Sequence, residues 1–151
     1  MRVVIDSSVL VALIDPRDLW RERAVALYNA LLAADAVPLY LDCVVAEAVS
    51  AASRRLHEKG RAGEVSLLLD RLNRQVSRET LTWILPGVPD LYSQALDLIR
   101  SSSGELSFND ALIALACRER GIPAIASFDA DFDQVPWLQR IARPEDIPPS
   151  A

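Results

Sequence analysis

Short runs of apolar, β-branched residues alternate with longer stretches in which apolar positions recur every three or four residues. The first run, residues 2–6 (RVVID), is continuous and not alternating, which predicts a strand buried on both faces within a parallel sheet. Ser7 and Ser8 then open a helix through Ile14. Beyond the Asp15-Pro16-Arg17-Asp18 break, Trp20, Ala24, Leu27, Leu31 and Ala34 fall at helical spacing and predict a helix over 19–34. Residues 37–41 (VPLYL) read as a second strand, and Asp42 as the cap of a helix that runs to the Lys59-Gly60 stop signal. A further helix is expected over 62–78, a third strand over 80–85, and a helix from Pro89 to Arg100 after the Pro86-Gly87 break. The serine tract 101–104 reads as a loop, Ser107 opens a helix through Arg120 that Gly121 stops, and strands follow at 123–127 and 139–142.

Strands alternating with helices, with the strands reading as apolar runs, call for an α/β fold: a central parallel sheet with helices on both faces. At 151 residues and 51% hydrophobic, the chain has the size of one domain and enough apolar surface to fold without disulfide or metal staples. Its apolar runs, such as Val9–Ile14, fall far short of the ~20 residues a membrane span needs. Asp6 interrupts what would be the core of a signal peptide, so a cytoplasmic location is expected. From Arg143 onward, Pro144, Pro148 and Pro149 predict an extended end segment.

Scarce residue types remove whole classes of chemistry. Cys43 and Cys117 stand far apart and outside any CxxC spacing, and read as small core residues. The single histidine, His57, sits in the charged run Arg54–Lys59 and reads as part of a solvated helix face, so no histidine-based nucleophilic site is expected. Neither a phosphate-binding GK[ST] loop nor a paired-histidine zinc site can be built.

What remains is acid. Asp6 ends the first strand and Asp129 follows the fourth; Glu47 lies early in the helix after the second strand, and Asp110 in the first turn of the helix that feeds the fourth. In an open parallel sheet all four fall on the rim at the carboxyl ends of the strands, where such folds bind ligands. Asp6 could instead cap the helix that follows it, and Ser107-x-x-Asp110 is also a capping-box pattern. Glu47 is surrounded in sequence by Val44, Val45, Ala46, Ala48 and Val49, which predicts a buried carboxylate in need of a cation or a strong donor. The stretch Asp129-x-Asp131-x-Asp133 begins like a calcium loop but has Gln134 where glycine is required and Arg140 where glutamate is required. Oxygen ligands without histidine or thiolate point to Mg²⁺ or Mn²⁺, and to hydrolysis of a phosphodiester.

These residues resemble a PIN domain, and more narrowly the VapC-type toxins of toxin–antitoxin pairs. The stretches that carry the resemblance are VVIDSSVLVALI, LDCVVAEAVSAASRR, SFNDALIALACRERGIPAIASFDADF and the short RI strand after it, together spanning about 1–143; 144–151 is left as a short Pro-rich C-terminal tail. The resemblance implies sheet order 3-2-1-4-5 and metal-dependent RNA cleavage. By position it makes Asp6, Glu47, Asp110 and Asp129 the acidic quartet and Asp131 an extra ligand or supporting acid. Ser7, Asn109 and Ser127 match polar positions around those acids. It also implies a homodimer and a small antitoxin partner. A non-toxin PIN nuclease acting in RNA processing, a PIN module that binds RNA or protein without cutting, and a metal-dependent phosphatase are the rival readings. The net charge of −5 does not suit a general nucleic-acid binder, but residues 54–78 hold seven basic against three acidic side chains. That segment is either an RNA track or an ordinary solvated helix pair, and its leucines 67, 68, 69 and 72 either a contact surface or core.

Overall fold

Val3, Val4 and Ile5 are all completely buried, although successive strand residues point to opposite faces, so both faces of the first strand are covered. A computed structural model describes residues 1–149. The strands are β1 (Arg2–Ile5), β2 (Val37–Leu41), β3 (Leu81–Thr82), β4 (Ala124–Ala126) and β5 (Gln139–Ile141), all parallel, in the order β3-β2-β1-β4-β5. The helices are α1 (Ser7–Ile14), α2 (Arg21–Ala33), α3 (Asp42–Glu58), α4 (Val65–Gln75), α5 (Val88–Ser101) and α6 (Phe108–Glu119). α1 packs against α2, α3 and α4, while α5 lies along α6.

The chain builds outward from β1 to β2 and β3, then crosses back to lay β4 on the other side of β1, in register Val3 with Ala124 and Ile5 with Ala126. The strand order therefore reverses between β1 and β4. The ladder runs on past both strands, since the Asp6 amide donates to the Ala126 carbonyl and the Ser127 amide to that of Ile141. The carboxyl ends of β1 and β4 are thus fixed side by side at the position where parallel sheets place their ligands.

Several elements differ from the sequence expectation. The third strand is two residues long: Asp42 accepts from the amides of Ile84 and Leu85 (3.0 Å each) as well as that of Cys43 (2.9 Å), drawing the backbone out of the sheet at once. Asp42 is itself the first residue of α3 and buried, so it binds a distant loop as well as its own helix start. The helix expected over 62–78 is a 3₁₀ turn at Ala62–Glu64 followed by α4, which ends where Val76 turns extended. Leu68 and Leu72 are core, whereas Leu67 and Leu69 are exposed. After Arg143 the chain is not extended: Pro144–Asp146 form a 3₁₀ turn in which the Asp146 carboxylate accepts from the amides of Ala142 and Arg143, and Ile147 packs on the core. The end of that segment, Ser150 and Ala151, lies outside the described residues. Both cysteines are buried, and burial pushes their thiols up to about 12. Among the described residues no helix is long and apolar enough to cross a membrane.

Candidate active site at the β1–β4 rim

Asp6 leaves β1 with its side chain almost fully buried. One carboxylate oxygen, Oδ2, accepts from the hydroxyls of Ser8 and Ser127, each at 2.7 Å. Those hydroxyls accept in turn: Ser8 from the Phe128 amide (3.1 Å) and Ser127 from the Asp129 amide (3.0 Å). Asp6 is the N-cap residue of α1 by position but makes no capping bond with its side chain, so the cap reading does not describe it. Instead two serines from opposite ends of the sequence hold its carboxylate and shape the turn that carries Asp129. Burial raises its pKa, the two hydroxyls oppose that shift, and the nearby Asp110 adds a smaller upward push.

Asp110 fulfils both readings open to it. The Ser107 hydroxyl accepts from the Asp110 amide (3.1 Å), while Asp110 Oδ2 accepts from the Ser107 amide (3.0 Å) and hydroxyl (2.6 Å), a complete capping box at the start of α6. The cap occupies one carboxylate oxygen and leaves Oδ1 without a hydrogen bond among the described residues. The same helix start places Asn109, whose amide donates 2.6 Å to Glu47 Oε2.

Glu47 differs from expectation: it is exposed, not buried. The apolar stripe of α3 runs through Val44, Ala48, Ala52 and Leu56, and Glu47 stands beside it on the rim. Partial desolvation in the cleft is the first cause of its raised pKa. The Asn109 bond lowers it, the charges of Asp6 and Asp110 raise it, and the Ser7 hydroxyl lowers it slightly.

Asp129 is exposed, and its Oδ1 accepts from the Asp131 amide at 2.9 Å, opening a 3₁₀ turn at Ala130–Gln134. Asp131 is half-buried and its pKa is raised, first by the charge of Asp129 and less by Glu105 and Asp110. Asp133 belongs elsewhere: its carboxylate takes both ends of the Arg140 guanidinium at 2.7 and 2.8 Å.

The fold thus brings Asp6, Glu47 and Asp110 within electrostatic reach of one another and ties Asp129 to Asp6 through Ser127. Among the described residues, none of Asp6, Glu47, Asp110, Asp129 and Asp131 bridges to a Lys or Arg. Sequence position points to Ser7, whereas the structure puts its neighbour Ser8 on Asp6, because only the β1–β4 pairing brings residue 8 to residue 127. Glu105 lies outside every motif of the sequence.

An acid-lined rim at the switch point of a five-stranded parallel sheet in this order defines a class of α/β proteins, and the sequence narrows it: the chain belongs to the PIN domain family, which it matches over residues 3–138. Its fold is similar to that of VapC20 of Mycobacterium tuberculosis, a Sarcin-Ricin loop cleaving toxin (22% identity over 89% of this chain and 95% of that one, TM-score 0.65). It is also similar to VapBC2 of Rickettsia felis, whose structure is bound to a DNA fragment from its promoter (16% identity, 93% and 98%, TM-score 0.61). Among curated proteins none matches the sequence significantly.

Proposed function

We propose that this PIN domain is a divalent-metal-dependent endoribonuclease, the toxin of a VapBC-type pair. The observation that carries the reading is the set of neighbouring carboxylates at the β1–β4 rim, none of which has a basic partner among the described residues. Their donors are oxygens only, which suits Mg²⁺ or Mn²⁺. Among the described residues no group of three or more His, Cys, Asp or Glu side chains is placed to hold a metal ion. Mg²⁺ does not require one, since it keeps several waters and commonly takes one or two carboxylates together with substrate phosphate.

In this reading Asp6, Asp110 and Asp129 would hold the ion together with its waters, with Asp131 beside them. When bound, the ion supplies charge stabilisation at the phosphate and a nucleophile at neutral pH. Glu47, its carboxylate fixed by Asn109 and its pKa raised by desolvation in the cleft, orients the attacking water and draws on its proton. Ser127 and Ser8 keep Asp6 and the Asp129 turn in place. With water attacking in line and the 3′ oxygen leaving as a hydroxyl, cleavage gives 5′-phosphate and 3′-hydroxyl ends without help from the neighbouring 2′-hydroxyl.

The toxin reading draws on the similarity to VapC20 and to the VapBC2 complex. It carries with it a small antitoxin partner, a homodimer and a cytoplasmic location. A non-toxin PIN nuclease would share the chemistry and lack the antitoxin. The discriminating assay presents purified protein with labelled RNA, single- and double-stranded DNA and a phosphomonoester, with Mn²⁺, Mg²⁺ or EDTA. Internal RNA cuts with 5′-phosphate ends are expected; 2′,3′-cyclic phosphate ends, or phosphomonoester hydrolysis alone, contradict the reading.

A further inference from the structure

At the side of Glu47 the acid rim opens into a groove of about 560 Å³ between α3 and the segment joining α1 to α2. One wall is a single row along α3, Glu47, Ala51, Arg55 and Lys59, each one helical step of four residues from the last. From first to last the row covers about 18 Å at 1.5 Å per residue. Its charge changes sign along the way, from the carboxylate beside the rim to two cations at the far end. Asp18 takes up Arg55 at 2.7 Å, whereas Lys59 pairs with no acid among the described residues. Of the seven basic residues between 54 and 78, these two are the ones that line the groove.

Across from that row stands Trp20, 44% exposed. Its ring meets Phe128 edge-on, centroids 4.8 Å apart, and Phe128 is the residue immediately before Asp129. The Arg23 guanidinium lies 5.3 Å from the Trp20 ring and 4.6 Å from that of Phe128, with no acid partner among the described residues. A rigid, partly open indole backed by a cation, next to the acid site, is the kind of surface on which an unpaired base stacks. A chain of net charge −5 repels nucleic acid over most of its surface, so its grip has to be local.

We propose that this groove is the track of a single-stranded RNA segment entering the acid rim, with Lys59 on its phosphates and Trp20 as the platform for one base. The choice of RNA rests on the nuclease reading above. Trp20 can take a base only when that base is unpaired, so the track excludes duplex. Leu19, 96% exposed on the lip of the groove, would suit a protein partner better, and the test includes that occupant.

The test is fluorescence anisotropy of a labelled single-stranded RNA oligonucleotide and of its duplex, with EDTA present so that nothing is cut, across a range of salt. Trp20→Ala should weaken single-strand binding about tenfold or more without altering its salt dependence, and Trp20→Tyr should restore it. Lys59→Ala should lower the slope of log affinity against log salt by about 0.7, and Lys59→Arg should restore it. Arg74→Ala, on α4 and outside the groove, should change neither. Lys59 is exposed at the end of α3, so its variants test the track even if Trp20→Ala fails to fold. Equal binding of duplex, wild-type binding by both the Trp20 and Lys59 alanine variants, or an Arg74 effect as large as that of Lys59 would overturn the proposal. So would unchanged RNA affinity together with loss of a co-purifying protein partner, which assigns the groove to that partner. RNA bound along this track but never cut removes the nuclease reading and leaves the track; RNA cut by variants that bind it normally does the reverse.

Discussion

The Ser127 hydroxyl donates a 2.7 Å hydrogen bond to Asp6 and accepts one of 3.0 Å from the Asp129 amide, so one buried side chain couples the acid at the end of β1 to the acid after β4. Ser127 and Asp6 are 121 apart in sequence and meet only because β4 pairs with β1.

Ser127→Ala removes a donor to a buried carboxylate and leaves an amide unpaired. It should destabilise the protein by about 2 kcal/mol, the scale of a hydrogen bond to a charged group. The bond matters most when Asp6 is ionised, so the loss should grow as pH rises through Asp6's raised pKa and shrink in acid. Urea denaturation of wild type and variant across pH measures it; a loss that does not vary with pH would show that the hydroxyl serves packing alone.

Asp6→Asn acts in the opposite sense. Burial holds the folded-state pKa of Asp6 above its ordinary value of 3.8. Its stabilising contribution is therefore complete below that value and is lost as pH rises through the folded pKa. An asparagine carbonyl can still accept from Ser8 and Ser127. The metal-free variant should melt at the same temperature as wild type or higher at neutral pH, with a flatter pH dependence above about pH 4. Strong destabilisation at neutral pH would make Asp6 a structural residue.

A bound divalent cation favours the ionised acids and reverses that trend. Mn²⁺ or Mg²⁺ should raise the melting temperature at neutral pH by an amount that fades as the acids protonate. At a free concentration of a hundred times Kd the gain would be about 2.7 kcal/mol. Asp110→Asn should remove most of the shift, whereas Asp133→Asn, at an acid held by Arg140 away from the rim, should keep it. An undiminished shift in the Asp110 variant would place the ion elsewhere.

Much of the fold is legible in the sequence because its strands are buried on both faces and therefore read as unbroken apolar runs. The third strand is shorter than its run, since Asp42, forty-two residues before Ile84, competes for the backbone. Local pattern does not register a side chain acting at that range. Glu47 reads as buried because its neighbours in sequence are apolar; on the helix those neighbours turn to the core at positions 44, 48 and 52 and leave residue 47 on the rim. The cause of the raised pKa values is legible only in part. Close acids suggest mutual repulsion, which does lead at Asp131, whereas desolvation leads at Asp6 and Glu47. The partnership of Ser8 with Ser127 depends on the β1–β4 pairing and has no local signature.

The most direct measurement is the initial rate of cleavage of an end-labelled single-stranded RNA by wild type and Asp110→Asn at equal concentration, with Mn²⁺ and then with excess EDTA. Asparagine at 110 still accepts the Ser107 amide through its carbonyl, so the α6 cap and the fold should persist. Wild type with Mn²⁺ should cut, and either the substitution or the chelator should lower the rate by about a hundredfold or more. Equal rates for the two proteins, or cleavage that EDTA leaves unchanged, would contradict a metal-dependent nuclease built on this rim.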